Sequence, residues 1–187
     1  MTRPAPRRST AKALLIVDVQ NDFTPPDGAL AVPGGDEVIE PINALATSGA
    51  YELIVATRDW HPPDHSSFRS QGGPWPEHCV RGTRGAKLDS RLKCDAIDLV
   101  IDKGTSRDAP GYSAFESTQL LELLRDRGVD RLTVTGLATD VCVRHTALDA
   151  LKEGLQITIP TAAVRGIDAE DSERSLEELK RAGAEVI

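Results

Sequence analysis

The sequence predicts an α/β fold, a three-layer α/β/α domain around a mostly parallel, doubly wound sheet of about six strands. Two observations predict it. Short apolar runs rich in Val, Ile and Leu recur along the chain without alternating polar residues, as buried parallel strands do. Between them lie stretches whose apolar residues fall at helical spacings, several closed by glycine.

The elements follow in order. Lys12 to Val19 (KALLIVDV) reads as the first strand, carrying Asp18 near its end. Asp36 to Ser48 reads as a helix closed by Gly49, and Glu52 to Thr57 as the second strand. Asp98 to Asp102 (DLVID) is a third strand, ending at Lys103-Gly104. Glu116 to Arg127 is a helix with Leu120, Leu121, Leu123 and Leu124 buried and Gly128 as its C-cap. Arg131 to Thr135 is a buried strand that runs into Gly136-Leu137-Ala138-Thr139-Asp140-Val141-Cys142-Val143, after which Val143, Ala147, Ala150, Leu151 and Gly154 keep helical spacing. A strand over Leu155 to Pro160, a helix over Ala169 to Ala182 and a last strand over Ala184 to Ile187 complete the set.

Residues 1–11 read as a flexible tail and 12–187 as a single domain. The opening MTRPAPRRST is basic, but its two prolines spoil an amphipathic helix and it lacks the apolar core of a signal peptide. At 187 residues the chain is long enough for a substantial core. The formal charge of −7, with no basic stripe against it, argues against nucleic-acid binding. No apolar run approaches the ~20 residues a membrane span requires. Three cysteines do not make a disulfide framework and fit a reducing, cytoplasmic setting. Nothing here selects between a monomer and a homo-oligomer.

Chemistry concentrates at the ends of strands. Cys142 falls in the first helical turn after a parallel strand, with Thr139 or Asp140 as the expected cap, where the helix dipole favours a thiolate. Read by itself, the segment fits a nucleophile or a small buried hydrophobe equally. Asp18 and Lys103 end two further strands, and in open parallel sheets the site lies at the carboxyl ends of the strands, where strand order reverses. An acid, a base and a thiol can therefore converge there. Roughly forty residues dominated by Pro, Gly and polar groups separate the second and third strands, and loops that long are usually functional or disordered. This loop holds three of the four histidines and both tryptophans, which marks it as functional. Asp59-x-His61 puts two potential ligands on alternate residues, and His78 returns from the loop. One carboxylate and two imidazoles suit a divalent metal, Zn²⁺ first and Fe²⁺ or Mn²⁺ as alternatives, with positions left open. Cys79 and Cys94 read as structural or incidental, and His145 as a solvated or capping residue.

Asp18-x-Gln20-x-Asp22-Phe23, Lys103-Gly104 and Gly136-x-Ala138-Thr139-Asp140-x-Cys142-Val143 together resemble the signature of the isochorismatase-like cysteine hydrolases. Thr57-Arg58-Asp59-Trp60-His61-Pro62 and Gly73-Pro74-Trp75-Pro76-Glu77-His78-Cys79 bring the resemblance closest to the nicotinamidase (pyrazinamidase) branch. It runs in order from about Leu14 to the C-terminus. The resemblance implies a catalytic triad of Asp18, Lys103 and Cys142, an oxyanion hole from the backbone N–H groups of Ala138 and Cys142, and a cis peptide at Leu137-Ala138. It also implies a metal on Asp59, His61 and His78 that holds the ring nitrogen of nicotinamide. His65 stands beside that set as a supporting residue or a fourth ligand. Phe23 and Trp75 are the expected walls for a flat aromatic ring, with Tyr112 closing the pocket, whereas Phe115 reads as core.

The activity so implied is hydrolysis of nicotinamide to nicotinate and ammonia, and of pyrazinamide to pyrazinoate, through a thioester in NAD salvage. The partner is thus a small-molecule amide. Two other readings compete: a related amidohydrolase acting on a carbamoyl, ureido or maleamate-type amide, and a non-catalytic binding module on the same fold. The metal-type residues argue against the first, and Asp18, Lys103 and Cys142 together argue against the second.

Overall fold

A computed structural model describes residues 11–187. Residues 1–10 of the tail expected over 1–11 lie outside the described ones, and Ala11 belongs to the first strand. The strands are β1 (Ala11–Val17), β2 (Leu53–Asp59), β3 (Leu99–Lys103), β4 (Val129–Leu137), β5 (Gln156–Ile159), β6 (Val164–Arg165) and β7 (Glu185–Val186). The helices are α1 (Ile39–Ala46), α2 (Leu120–Asp126), α3 (Arg144–Lys152) and α4 (Ala169–Ala182).

Every ladder between these strands is parallel, in the order β3-β2-β1-β4-β5-β7, with β6 also pairing to β4. The chain builds outward from β1 to β3, then restarts at β4 on the other side of β1. The reversal therefore falls between β1 and β4, the place where an open α/β sheet presents a crevice.

Both faces of the sheet's centre are covered, which is why β1 is apolar on both faces. Ala13, Leu15 and Val17 of β1 join Leu132 and Val134 against Leu120, Leu124, Ala147, Ala150 and Leu179 of α2, α3 and α4. The intervening Leu14 and Ile16 point the other way, toward Ile39, Ile42 and Ala46 of α1. No helix among the described residues is long and apolar enough to cross a membrane.

Several boundaries differ from the sequence reading for local reasons. The helix expected from Asp36 begins as a 3₁₀ turn, Gly35–Val38, and becomes α-helical only at Ile39. Pro41 then sits in the first turn of α1, where its missing N–H costs no helical bond. The helix expected from Glu116 begins at Leu120, because the Thr118 hydroxyl donates to the Ala114 carbonyl and accepts from the Leu120 amide 3.2 Å away. β6 is an added strand of two residues, too short to leave a periodic signal. α4 has the expected bounds: Asp168 accepts from the Asp171 amide at 2.9 Å, and Gly183 ends it with φ 109°.

Candidate active site

Four strand ends meet at the carboxyl edge of the sheet. Asp18 follows β1 directly and turns the chain out of the strand with φ 51°. Asp59 is the last residue of β2 and Lys103 the last of β3. Beyond β4, a single π-helical turn over Thr139–Val143 carries Cys142.

Lys103 reaches across β2 from its own strand and is wholly buried. Its Nζ lies 2.8 Å from Asp18 Oδ2, 2.6 Å from Asp59 Oδ1, 2.7 Å from the Gly111 carbonyl and 3.5 Å from Cys142 Sγ. Burial alone would lower the Lys103 pKa, but Asp18 and Asp59 outweigh it and keep the ammonium charged well beyond its usual range. Burial also pushes the Asp59 carboxyl up, and here Lys103 and His61 prevail, holding it below the ordinary carboxylate value.

Asp18 behaves in the opposite way. Burial is its strongest influence and, with Asp59 close by, raises its pKa to about 6 against the pull of Lys103 and Thr57. The Thr57 hydroxyl donates to Oδ1 at 2.8 Å. Oδ2 carries the ion pair but no aligned hydrogen bond, so it retains capacity to take a proton. A carboxylate oxygen of Asp18 and the thiol of Cys142 lie within 4.8 Å of each other.

Cys142 corrects one expectation. Neither Thr139 nor Asp140 caps its turn: Ala138 occupies the cap position without a side-chain bond. The Asp140 carboxylate instead accepts from the amides of Ile167 and Asp168 at 3.0 and 2.9 Å. The α-helix proper starts only at Arg144, after Cys142. Burial, opposed in part by Lys103, lifts the thiol well above its usual pKa, which favours the protonated sulfur over the thiolate.

Asp59, His61 and His78 are all buried, and each offers a ligand atom within 4.8 Å of the others. Their environment suits a cation. His61 Nδ1 lies 2.8 Å from the Gly104 carbonyl and His78 Nδ1 lies 2.7 Å from the Pro76 carbonyl. Each carbonyl fixes the ring with its proton on Nδ1, which leaves the Nε2 lone pair to face the cluster. Burial lowers the His78 pKa, which keeps that ring neutral as a ligand must be. His65 stacks on His61 with ring centroids 4.0 Å apart, and its nitrogens bond Ser67 and the Ala109 carbonyl, so it buttresses His61.

The thiol and this cluster open onto one cavity. Phe23, Trp75 and Tyr112 line it together with Asp59, His61, His78, Ala138 and Cys142. The Trp75 indole donates to the Tyr112 hydroxyl at 3.1 Å. The Leu137-Ala138 peptide is cis, as the resemblance implies. Phe115 is partly buried and packs against the core. His145 bonds the Val141 carbonyl through Nδ1 at 2.8 Å, and Cys79 and Cys94 are unpaired.

Other contributors escaped the sequence reading. Thr57 orients Asp18, and Ile167 joins the cavity wall. The Gly104 backbone adopts φ 60°, where a Cβ would strike the His61 ring; the Lys103-Gly104 pair was the signal for it. Asp59 was read only as a ligand, although it also anchors Lys103.

Comparison with known proteins agrees with this geometry. A family model described as the Isochorismatase domain matches residues 12–187. The chain is 40% identical to the nicotinamidase of Escherichia coli over 92% of each protein. It is 43% identical to the nicotinamidase/pyrazinamidase of Mycobacterium tuberculosis, over 94% of this chain and 98% of the other. Among solved structures, the pyrazinamidase of Pyrococcus horikoshii in complex with zinc is 49% identical with TM-score 0.87, covering 94% of this chain and 98% of that one. PnC1 from L. infantum in complex with nicotinate is 40% identical with TM-score 0.92, over 96% and 93%. With its sheet, its strand-end residues and a family match from residue 12 to residue 187, the chain belongs to the isochorismatase family.

Proposed function

We propose that this protein is a metal-containing cysteine amidohydrolase that converts nicotinamide to nicotinate and ammonia, and pyrazinamide to pyrazinoate, in cytoplasmic NAD salvage. The observation that carries the reading is a buried thiol and a carboxylate–imidazole cluster opening onto one aromatic-walled cavity. The relatives named nicotinamidase, and the solved pyrazinamidase with zinc, support it. Free thiols, two of them buried, suit the reducing cytoplasm.

In this reading Asp18 takes the proton of the Cys142 thiol while Lys103 holds Asp18 in place. The thiolate attacks the carboxamide carbon, and the backbone N–H groups of Ala138 and Cys142 receive the oxyanion, typically worth ~3 kcal/mol per donor. Asp18 passes its proton to the departing ammonia. It then draws a proton from water, which attacks the thioester and releases the carboxylate and the thiol. Phe23, Trp75 and Tyr112 hold the ring flat between them. Asp59, His61 and His78 would hold the divalent ion, Zn²⁺ by donor set, which supplies an electrophilic contact for the ring nitrogen.

Ammonia release over a panel of nicotinamide, pyrazinamide, benzamide, maleamate and ureido compounds tests this reading. Nicotinamide should be cleaved far better than benzamide, which has no ring nitrogen to ligate, by at least ~2 kcal/mol in the barrier. Equal cleavage of the two, or preference for a ureido substrate, would favour a different amidohydrolase. His61→Ala should raise KM for nicotinamide and lower activity, yet leave Cys142 reactive toward an alkylating probe. Loss of that reactivity would argue against a separate positioning role.

The pH profile follows from Asp18. Its carboxyl must be ionised to accept the thiol proton, and its pKa is raised to about 6. Acylation should therefore be fully available above that value and decline as pH falls through it. An acid limb of kcat/KM near pH 6 is expected, and a profile flat down to pH 4 would exclude Asp18 as the base.

A further inference from the structure

The segment after β1 places chemistry on alternate residues: Asp18, Gln20 and Asp22. The triad uses only the first. Gln20 is wholly buried, and its side-chain amide meets the Asp59 backbone at both its N–H and its carbonyl. Its Oε1 accepts from the Asp59 N–H at 2.7 Å, and its Nε2 donates to the Asp59 carbonyl at 2.9 Å. The same Nε2 donates to the Ala86 carbonyl at 2.9 Å, which ties in the far end of the long loop. A buried amide with this many partners is expensive to leave unmatched, so its partners are held where it holds them.

Asp22 does the same for the other side of the cluster. Its Oδ2 accepts from the Cys79 N–H at 2.7 Å, one residue beyond His78. The Cys79 carbonyl in turn accepts from the His61 N–H at 3.0 Å, so the backbone of this one residue is fastened to Asp22 and to His61 together. His78 and His61 come from distant parts of the loop; His61 pairs with Val80, and the His61 and His78 rings lie 5.1 Å apart between centroids.

We propose that Gln20 and Asp22 are positioning residues for the metal site, holding the Asp59 and His78 backbones at a fixed spacing from each other and from Asp18. One segment thereby acts as a ruler, with the general base at its first mark and a ligand-bearing segment at each of the next two. The proposal rests on the reading that Asp59, His61 and His78 bind a divalent ion. It concerns the backbone carrying the ligands, whereas the carbonyls of Gly104 and Pro76 orient the imidazole rings.

The test measures Zn²⁺ affinity of the full chain by competition with a chromogenic chelator, alongside the alkylation rate of Cys142 by iodoacetamide in metal-free protein. Gln20→Leu and Asp22→Ala should each weaken Zn²⁺ binding by about 10–100-fold, the usual effect of losing a group that orients ligands. Cys142 should alkylate at an unchanged rate, and excess Zn²⁺ should restore kcat. Asp22→Asn keeps an acceptor for the Cys79 amide and should rescue most of the affinity lost in Asp22→Ala. Should Gln20→Leu fail to fold, the Asp22→Ala and Asp22→Asn pair decides alone. Zn²⁺ affinity unchanged in the folded variants would overturn the proposal, as would parallel loss of Zn²⁺ affinity and Cys142 alkylation, which marks a general structural role. If the unaltered protein binds no Zn²⁺, the reading of the site itself fails and this one falls with it.

Discussion

Cys142→Ala should abolish ammonia release, with kcat reduced by about 10⁵-fold or more, as is typical when the nucleophile of a cooperating set is removed. The fold should survive. The side chain is small and buried, and the surrounding Val143 and Ala147 keep their packing against the sheet. Ring binding should survive too, because Phe23, Trp75 and Tyr112 are untouched. Isothermal titration with nicotinamide would show binding without turnover, and mass spectrometry would no longer trap an acyl adduct. An active Cys142→Ala protein, with inactivation found instead in Cys79→Ala or Cys94→Ala, would refute the assignment.

Lys103→Met should be almost as damaging to catalysis and more damaging to stability. The substitution removes the cation shared by Asp18 and Asp59 and leaves two buried carboxylates facing each other. Breaking a buried ion pair from one side commonly costs 3–5 kcal/mol, roughly what the mutation should take from unfolding free energy in urea. Without the ammonium, burial and Asp59 both push the Asp18 carboxyl further up, so at neutral pH it holds its proton and cannot take one from the thiol. Activity should fall by several orders of magnitude. Asp18→Asn should fall comparably, and combining either with Cys142→Ala should add little, because one machine is already stopped. Losses that add in the double variants would speak against a shared role.

Much of this was legible before any coordinates. Buried parallel strands must be apolar on both faces, so β1 stood out through its run LLIV and β4 through its buried centre, and their ends pointed to Asp18 and Cys142. Asp59, His61 and His78 were legible because ligand chemistry demands particular residue types at short spacings. What stayed hidden was set by hydrogen bonds rather than pattern. A π-turn at Thr139–Val143 has nearly the residue spacing of an α-helix, so no periodicity distinguishes them. Asp140 resembled a cap by position, and only the fold shows its carboxylate turned to Ile167 and Asp168. The link from Lys103 to Asp59 was hidden for another reason: it joins neighbouring strands through side chains whose separation in sequence carries no local signal.

The pairing of β1 with β4 bears on how the protein acquires its activity. These central strands lie far apart in the chain: the Thr135 hydroxyl donates to the Leu15 carbonyl across 120 positions. Asp18 leaves one strand and Cys142 the other, so the proposed base and nucleophile are strangers until the middle of the sheet closes. Long-range parallel pairing is slow, because loop entropy is lost before contacts reward it. A nascent chain that has emerged only through β3 has Asp18 and Lys103 but not Cys142. Regain of turnover after dilution from denaturant should accordingly trail the return of helical signal, making enzyme activity a clock for the joining of the two halves.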